Sequence, residues 1–283
     1  MSVWAPGVAN AVTKLTPSST NFYLVIGASV SVGVQPTPSA PRGQPTDRGY
    51  ANDLVAIEAA KGITLQMTQL GCPGETIATM INGADNCYHM THSQLLDAVA
   101  FLKSHYNQGG IVTIDLGFND LMPCLSHTTV DTVCVNTQLS IIQYQLPQVL
   151  STLKAAAGPN VTFVGVGHYN PFTAKALLSG QGRTFAAGSV DVMGKLNQTL
   201  RSIYSSFSIP MANVADSFAD RFRTRAHVAG FGTVSANIAQ ACNLTWMCQP
   251  FPYGPNLHPN DAGYQVIARS IAAVLPRRGE MSR

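Results

Sequence analysis

The chain has 283 residues, of which 46% are hydrophobic and only 11% charged, with a net charge of +3. Soluble chains carry roughly 25% charged residues, so this surface must be built largely from Ser, Thr, Asn, Gln and Gly, which suits an extracytoplasmic or secreted protein. The small net charge argues against a nucleic-acid partner, and no run of about 18 apolar residues provides a transmembrane segment.

The length fits one large α/β domain or two small ones. Residues 1–20 lack a basic stretch followed by an apolar one, so no signal peptide is read there and the segment is taken as an N-terminal extension. The apolar run Phe22–Ile26 predicts a buried strand ending at Gly27. Residues 36–47 form a Pro/Ser/Thr/Gly-rich loop, and a helix follows over Tyr50–Lys61, stopped by Gly62. Ile63–Leu70 is the second strand. Pro73 is placed at the first turn of a short helix through Ile81. Ser93–His105 is a helix with Leu95, Leu96, Val99 and Leu102 on its apolar side. Strands at Ile111–Leu116, Val161–Val166 and Met211–Val214 alternate with helices at Gln138–Ala157, Ser189–Phe207 and Pro259–Leu275. Residues 216–255 show little periodicity and read as a long loop. Alternating strands and helices predict a parallel sheet covered on both faces, within one domain spanning 1–283.

Ligands gather at the carboxyl ends of strands in such sheets. Three candidates follow strands there: Ser29, Gly74 and Asn119. Ser29 follows Gly27, which permits a tight turn, and its next N–H near a helix start would favour negative charge; Ser31 is a neighbouring decoy. A serine is a weak nucleophile without a base. His258, just before Pro259 and a helix, is placed to be that base. The Asn119 amide can donate to a developing oxyanion, and Asp120 braces its loop. Gly71 rivals Gly74 as the turn glycine. His168, after the fourth strand, is a further cleft candidate. Asn119 could also merely close an Asx-turn, and Ser29 merely cap a helix.

Six cysteines, Cys72, Cys87, Cys124, Cys134, Cys242 and Cys248, fall into three sequence-local pairs. An even count in a low-charge chain favours disulfides and an oxidising compartment. Neighbour spacing predicts Cys72–Cys87, Cys124–Cys134 and Cys242–Cys248, the last stapling the 216–255 loop. Free thiols and metal binding are the alternatives; metal fits less well, because no Cys-x-x-Cys occurs and His89, His92 and His127 lack finger spacing.

Four short blocks in order, Gly27-Ala28-Ser29, Gly74 in Gly71-Cys72-Pro73-Gly74, Gly117-Phe118-Asn119-Asp120 and Pro255-Asn256-Leu257-His258, resemble the SGNH hydrolases, also called the GDSL esterase/lipase family. The cysteine-flanked blocks look most like the disulfide-bearing esterases and lipases secreted by actinobacteria. The resemblance implies a flavodoxin-like three-layer α/β/α fold with a central, mostly parallel five-stranded sheet. It implies a serine esterase/lipase with Ser29 as nucleophile, His258 as base, and the Ser29 N–H, Gly74 N–H and Asn119 side chain as the oxyanion hole. No metal or cofactor is implied, the partner is a small-molecule, lipid or acylated-carbohydrate ester, and a monomer is expected. The block pattern is broken twice. Ala28 stands where the family has aspartate, and Pro255 where aspartate normally holds the base. The Pro255 main-chain carbonyl is expected to orient His258 as a Ser–His dyad, with Asp216 or Asp261 as rival carboxylates. An acyltransferase, and a non-catalytic carbohydrate- or lipid-binding protein on the same scaffold, are the alternative functions.

Overall fold

The computed structural model describes residues 21–83, 87–89, 92–125, 128–177 and 180–276, and the N-terminal extension at 1–20 lies outside them. Five strands form the main sheet: β1 (Asn21–Gly27), β2 (Leu65–Gln69), β3 (Gly110–Asp115), β4 (Val161–Val166) and β5 (Met211–Ala212). Their order is β2-β1-β3-β4-β5, and every pairing is parallel. The order reverses between β1 and β3, and a crevice opens at the carboxyl ends there.

Side chains alternate between the two faces of β1 and β3. Leu24, Ile26, Val112 and Ile114 belong to one core cluster; Tyr23, Val25, Ile111, Val164 and Val166 belong to another. Both strands are buried along their whole length, which is why they read as continuous apolar runs rather than alternating ones. The first face is covered by α2 (Ile77–Asn82), α3 (Gln94–Ser104), α5 (Thr132–Ala156) and α6 (Gly180–Ser206), which supply Met80, Leu102, Ile142 and Leu196. The second is covered by α1 (Tyr50–Ala60) and α9 (Asp261–Ala272), which supply Leu54 and Ile267. Two single-turn helices, α4 (Phe118–Leu121) and α7 (Val214–Ser217), follow β3 and β5. The three-layer α/β/α expectation holds.

Several local expectations need correction. The turn after Pro73 is not yet helical: α2 begins at Ile77, because Thr76 caps it and forms a reciprocal capping box with Thr79. On α3, Leu96 is 55% exposed, while Gln94, Ala98 and Leu102 turn inward at four-residue spacing. The helices α5 and α6 start earlier than their apolar periodicity suggests; Asp131 caps α5 through the N–H groups of Val133 and Cys134.

Residues 216–255 are not a structureless loop. They hold an antiparallel hairpin, β6 (Arg225–Val228) and β7 (Gly232–Ser235), and the helix α8 (Ala236–Leu244). Their small core of Val228, Ala239, Cys242 and Met247 is too thin to produce a strong periodic signal. All three expected disulfides are formed: Cys72–Cys87, Cys124–Cys134 and Cys242–Cys248.

Candidate active site

Glycine chemistry fixes the turn that carries Ser29. Gly27 ends β1 at φ +142°, and a Cβ there would lie 2.4 Å from the Asp115 carbonyl oxygen of β3. The two strand ends thus touch, backbone to backbone. Ser29 lies in a turn over residues 29–33, not at a helix start. The Ala28 N–H donates to the Asp115 carbonyl at 3.1 Å, and the Ser29 carbonyl accepts from the Val34 N–H at 3.1 Å. Ser31 is fully buried, and its hydroxyl donates to the Ala28 carbonyl at 2.6 Å. It is a structural serine that braces the turn. Gly71 makes room for it, since a Cβ at Gly71 would meet Ser31 Oγ at 2.0 Å.

The turns bearing Gly74 and Asn119 are joined to this one and to each other. Gly74 has φ +86°, a conformation that favours glycine. The Cys72 N–H donates to the Gly27 carbonyl at 3.0 Å. Asn119 Nδ2 donates to the Glu75 carbonyl at 2.9 Å, which uses one amide hydrogen and leaves the second. Asp120 accepts the Ile77 N–H at 3.1 Å, tying α4 to the start of α2 as a brace. Gln94 closes the assembly. Its Oε1 accepts the Gly27 N–H at 2.6 Å, and its Nε2 donates to the Gly27 carbonyl at 3.0 Å and to Glu75 Oε2 at 2.8 Å. Burial raises the Glu75 carboxyl above its ordinary range, offset in part by hydrogen bonds from Thr79 and Gln94.

A small cavity of about 20 Å³ opens where β1, β3 and β4 end, lined by Ser29, Asn119, Phe118, His168, Tyr169 and Leu257, among others. His168 therefore lines the cleft. Its Nε2 lies 2.9 Å from the Leu116 carbonyl, so that nitrogen carries the hydrogen, and its Nδ1 is 3.5 Å from Asp115 Oδ1. Asp115 is buried and its carboxyl is pushed up by that burial; the nearby His168 and a hydrogen bond from the Ser31 backbone offset this in part.

His258 sits next to Leu257, between the stapled module and α9. The expected partner, the Pro255 carbonyl, is replaced: His258 Nδ1 lies 2.8 Å from Asn256 Oδ1. The reason is local. Asn256 Oδ1 also accepts the His258 N–H at 3.0 Å, an Asx-turn that brings the amide oxygen beneath the ring. Asn256 Nδ2 donates to the carbonyls of Pro41 and Arg42 at 3.1 and 3.2 Å. Two carbonyl acceptors fix which end of the amide is nitrogen, so the oxygen faces the histidine. An amide oxygen only accepts; Nδ1 carries the hydrogen, and Nε2 keeps its lone pair. Burial pushes the His258 pKa down to about 4. The rival carboxylates are engaged elsewhere. Asp261 pairs with Arg48 at 2.8 Å and accepts from Gln35, and Asp216 accepts from Asn213.

Among the described residues, no group of three or more His, Cys, Asp or Glu side chains could hold a metal ion.

Asn256, Gln94 and Asp115 were not picked out as functional residues from the sequence. Asn256 had a signal, an Asn two positions before the histidine. Gln94 has none, being one of several polar residues on α3.

The sequence model of the GDSL-like Lipase/Acylhydrolase family matches residues 25–266. Among solved structures, the fold is similar to an extracellular lipase from Streptomyces rimosus, with a TM-score of 0.59 and 16% identity over 91% of this chain and 100% of that one. It is equally similar to phospholipase A1 from Streptomyces albidoflavus NA297, with a TM-score of 0.59, 17% identity and the same coverages of 91% and 100%. A catalytic variant of an acetylxylan esterase from Geobacillus stearothermophilus follows at a TM-score of 0.54 and 14% identity, covering 94% of this chain and 98% of that one. No curated protein matches the chain in sequence. With a family match across most of its length and the family's fold, the chain belongs to the GDSL-like lipase/acylhydrolase family of hydrolases.

Proposed function

We propose that the chain is a carboxylic ester hydrolase that works through an acyl-enzyme on Ser29. The observation that carries this reading is a cavity lined by both Ser29 and Asn119, with Leu257, the residue before His258, in its wall. Ser29 Oγ attacks the ester carbonyl while His258 Nε2 takes its proton. The oxyanion is met by the N–H groups of Ser29 and Gly74 and by the free amide hydrogen of Asn119. Collapse breaks the C–O bond, and His258 gives its proton to the leaving alcohol. Water then repeats the sequence on the acyl group. Asn256 takes the place of the aspartate, giving a Ser–His–Asn arrangement without a charged third member.

The cavity favours short acyl chains. At about 20 Å³ it holds roughly one small group, and Phe118, Tyr169 and Leu257 close its apolar side. Three disulfides support an extracytoplasmic setting, and we read the enzyme as a secreted monomer. A chain-length series of p-nitrophenyl esters tests the proposal. Acetate to butyrate should be hydrolysed best, octanoate about tenfold or more worse in kcat/KM, and p-nitroanilide amides slower still. Failure of the folded protein to hydrolyse any ester would overturn it.

A further inference from the structure

The stapled module next to His258 has an outer surface that the hydrolytic chemistry does not use. In β6, Ala226 and Val228 turn inward, while Arg225 and His227 are exposed. The inward residues pack with Val234, Ala239, Cys242, Met247 and Leu257. Leu257 also lines the Ser29 cavity, so this small core joins the hairpin to the active site.

The hairpin tip is Gly230-Phe231-Gly232. Both glycines have positive φ, +78° and +76°, and a Cβ at either would meet nothing within 4 Å. The tip thus projects away from the body. Phe231 is 42% exposed on it. An aromatic ring on a projecting tip offers apolar area whose burial is favourable. The surrounding charge identifies the cover. Arg223 and Arg225 flank the start of β6, and from Arg223 to Asn260 the chain holds no Asp or Glu. Both arginines are exposed. Arg225 Nη2 donates to the Thr233 carbonyl at 2.7 Å, and a guanidinium has donors to spare for phosphate. A projecting aromatic tip beside two exposed arginines matches the interface of an anionic bilayer, where rings enter the headgroup boundary and arginines meet phosphates.

We propose that the β6–β7 hairpin is a docking surface for anionic lipid membranes. It holds the Ser29 cavity at the lipid surface. The usefulness of that placement rests on the ester-hydrolase reading, but binding itself does not.

The test is cosedimentation of the full chain with vesicles of phosphatidylcholine alone or with phosphatidylglycerol added. The parent should pellet with the anionic vesicles, and high salt should weaken that binding. Ser29→Ala should bind like the parent, which separates docking from catalysis. Phe231→Ser should lower the partition about tenfold while p-nitrophenyl acetate hydrolysis is unchanged. As a second reading, Phe231→Trp should show a blue-shifted emission with anionic vesicles. A parent that stays in the supernatant, equal binding to neutral vesicles, Phe231→Ser binding like the parent, or an unmoved tryptophan emission would each overturn the proposal.

Discussion

Asn256 Oδ1 lies 2.8 Å from His258 Nδ1, and the same oxygen accepts the His258 backbone N–H at 3.0 Å. One neutral side chain thus sets both the ring tautomer and the local backbone turn. This has a sharp mutational consequence. Asn256→Ala should lower kcat/KM about a hundredfold with KM little changed, because the wrong tautomer offers no lone pair to the nucleophile. Asp216→Asn and Asp261→Asn should each retain most activity. If Asn256→Ala stays within about threefold of the parent, the orienting role belongs to another group.

The pH profile follows from the same geometry. Burial holds His258 down to about 4, and the amide supplies no charge to stabilise an imidazolium. As the proposed base, His258 is therefore neutral well into the acid range. The acid limb of kcat/KM should fall near pH 4 to 5, below the ordinary histidine value of about 6.5. Asn256→Asp places a carboxylate on Nδ1, favours the charged ring, and should move that limb upward by about 1 to 3 units. The unfolded histidine takes up a proton more readily than the folded one. Stability is thus lost as pH falls below the unfolded value. An acid limb at or above pH 6.5 in the parent would contradict the buried, uncharged pairing.

Much of this site was legible because it is built on strand ends. Continuous apolar runs announced β1, β3 and β4, and the residues just past them, Ser29 and Asn119, had to reach one edge of a parallel sheet. The cysteine pairs were legible from spacing alone. What was hidden depended on contacts between distant segments. Nothing local distinguishes Gln94 from a surface glutamine, since its partners are Gly27 and Glu75. Leu96 looked like a core residue because its neighbours are apolar, yet the helix turns Gln94 inward instead. The choice of Asn256 over Pro255 was set by the carbonyls of Pro41 and Arg42, more than two hundred residues away. The hairpin at 225–235 leaves little signal in the sequence because its inward face offers only Ala226, Val228 and Val234 to the core.

The Gln94 clamp gives an independent check on how the turns are held. Gln94→Leu keeps the volume but strips three hydrogen bonds from Gly27 and Glu75. Leaving these buried groups unpaired should cost on the order of 3 kcal/mol of stability. It should lower kcat more than it raises KM, because the Gly27 and Glu75 turns carry the proposed nucleophile and oxyanion donors. Urea unfolding and steady-state kinetics on one preparation measure both. An unchanged midpoint with unchanged kcat would show that the clamp positions nothing.

The central claim is that Ser29 is the nucleophile, activated by His258. Its most direct test is labelling with a fluorophosphonate, followed by peptide mass spectrometry. The account predicts one adduct per chain, on Ser29. Ser29→Ala should remain unlabelled and lose esterase activity by several orders of magnitude, at least about 10³-fold. Ser31→Ala should still be labelled on Ser29, because the buried Ser31 hydroxyl is committed to the Ala28 carbonyl. An adduct on any other residue, or no adduct on a folded and active protein, would contradict the account.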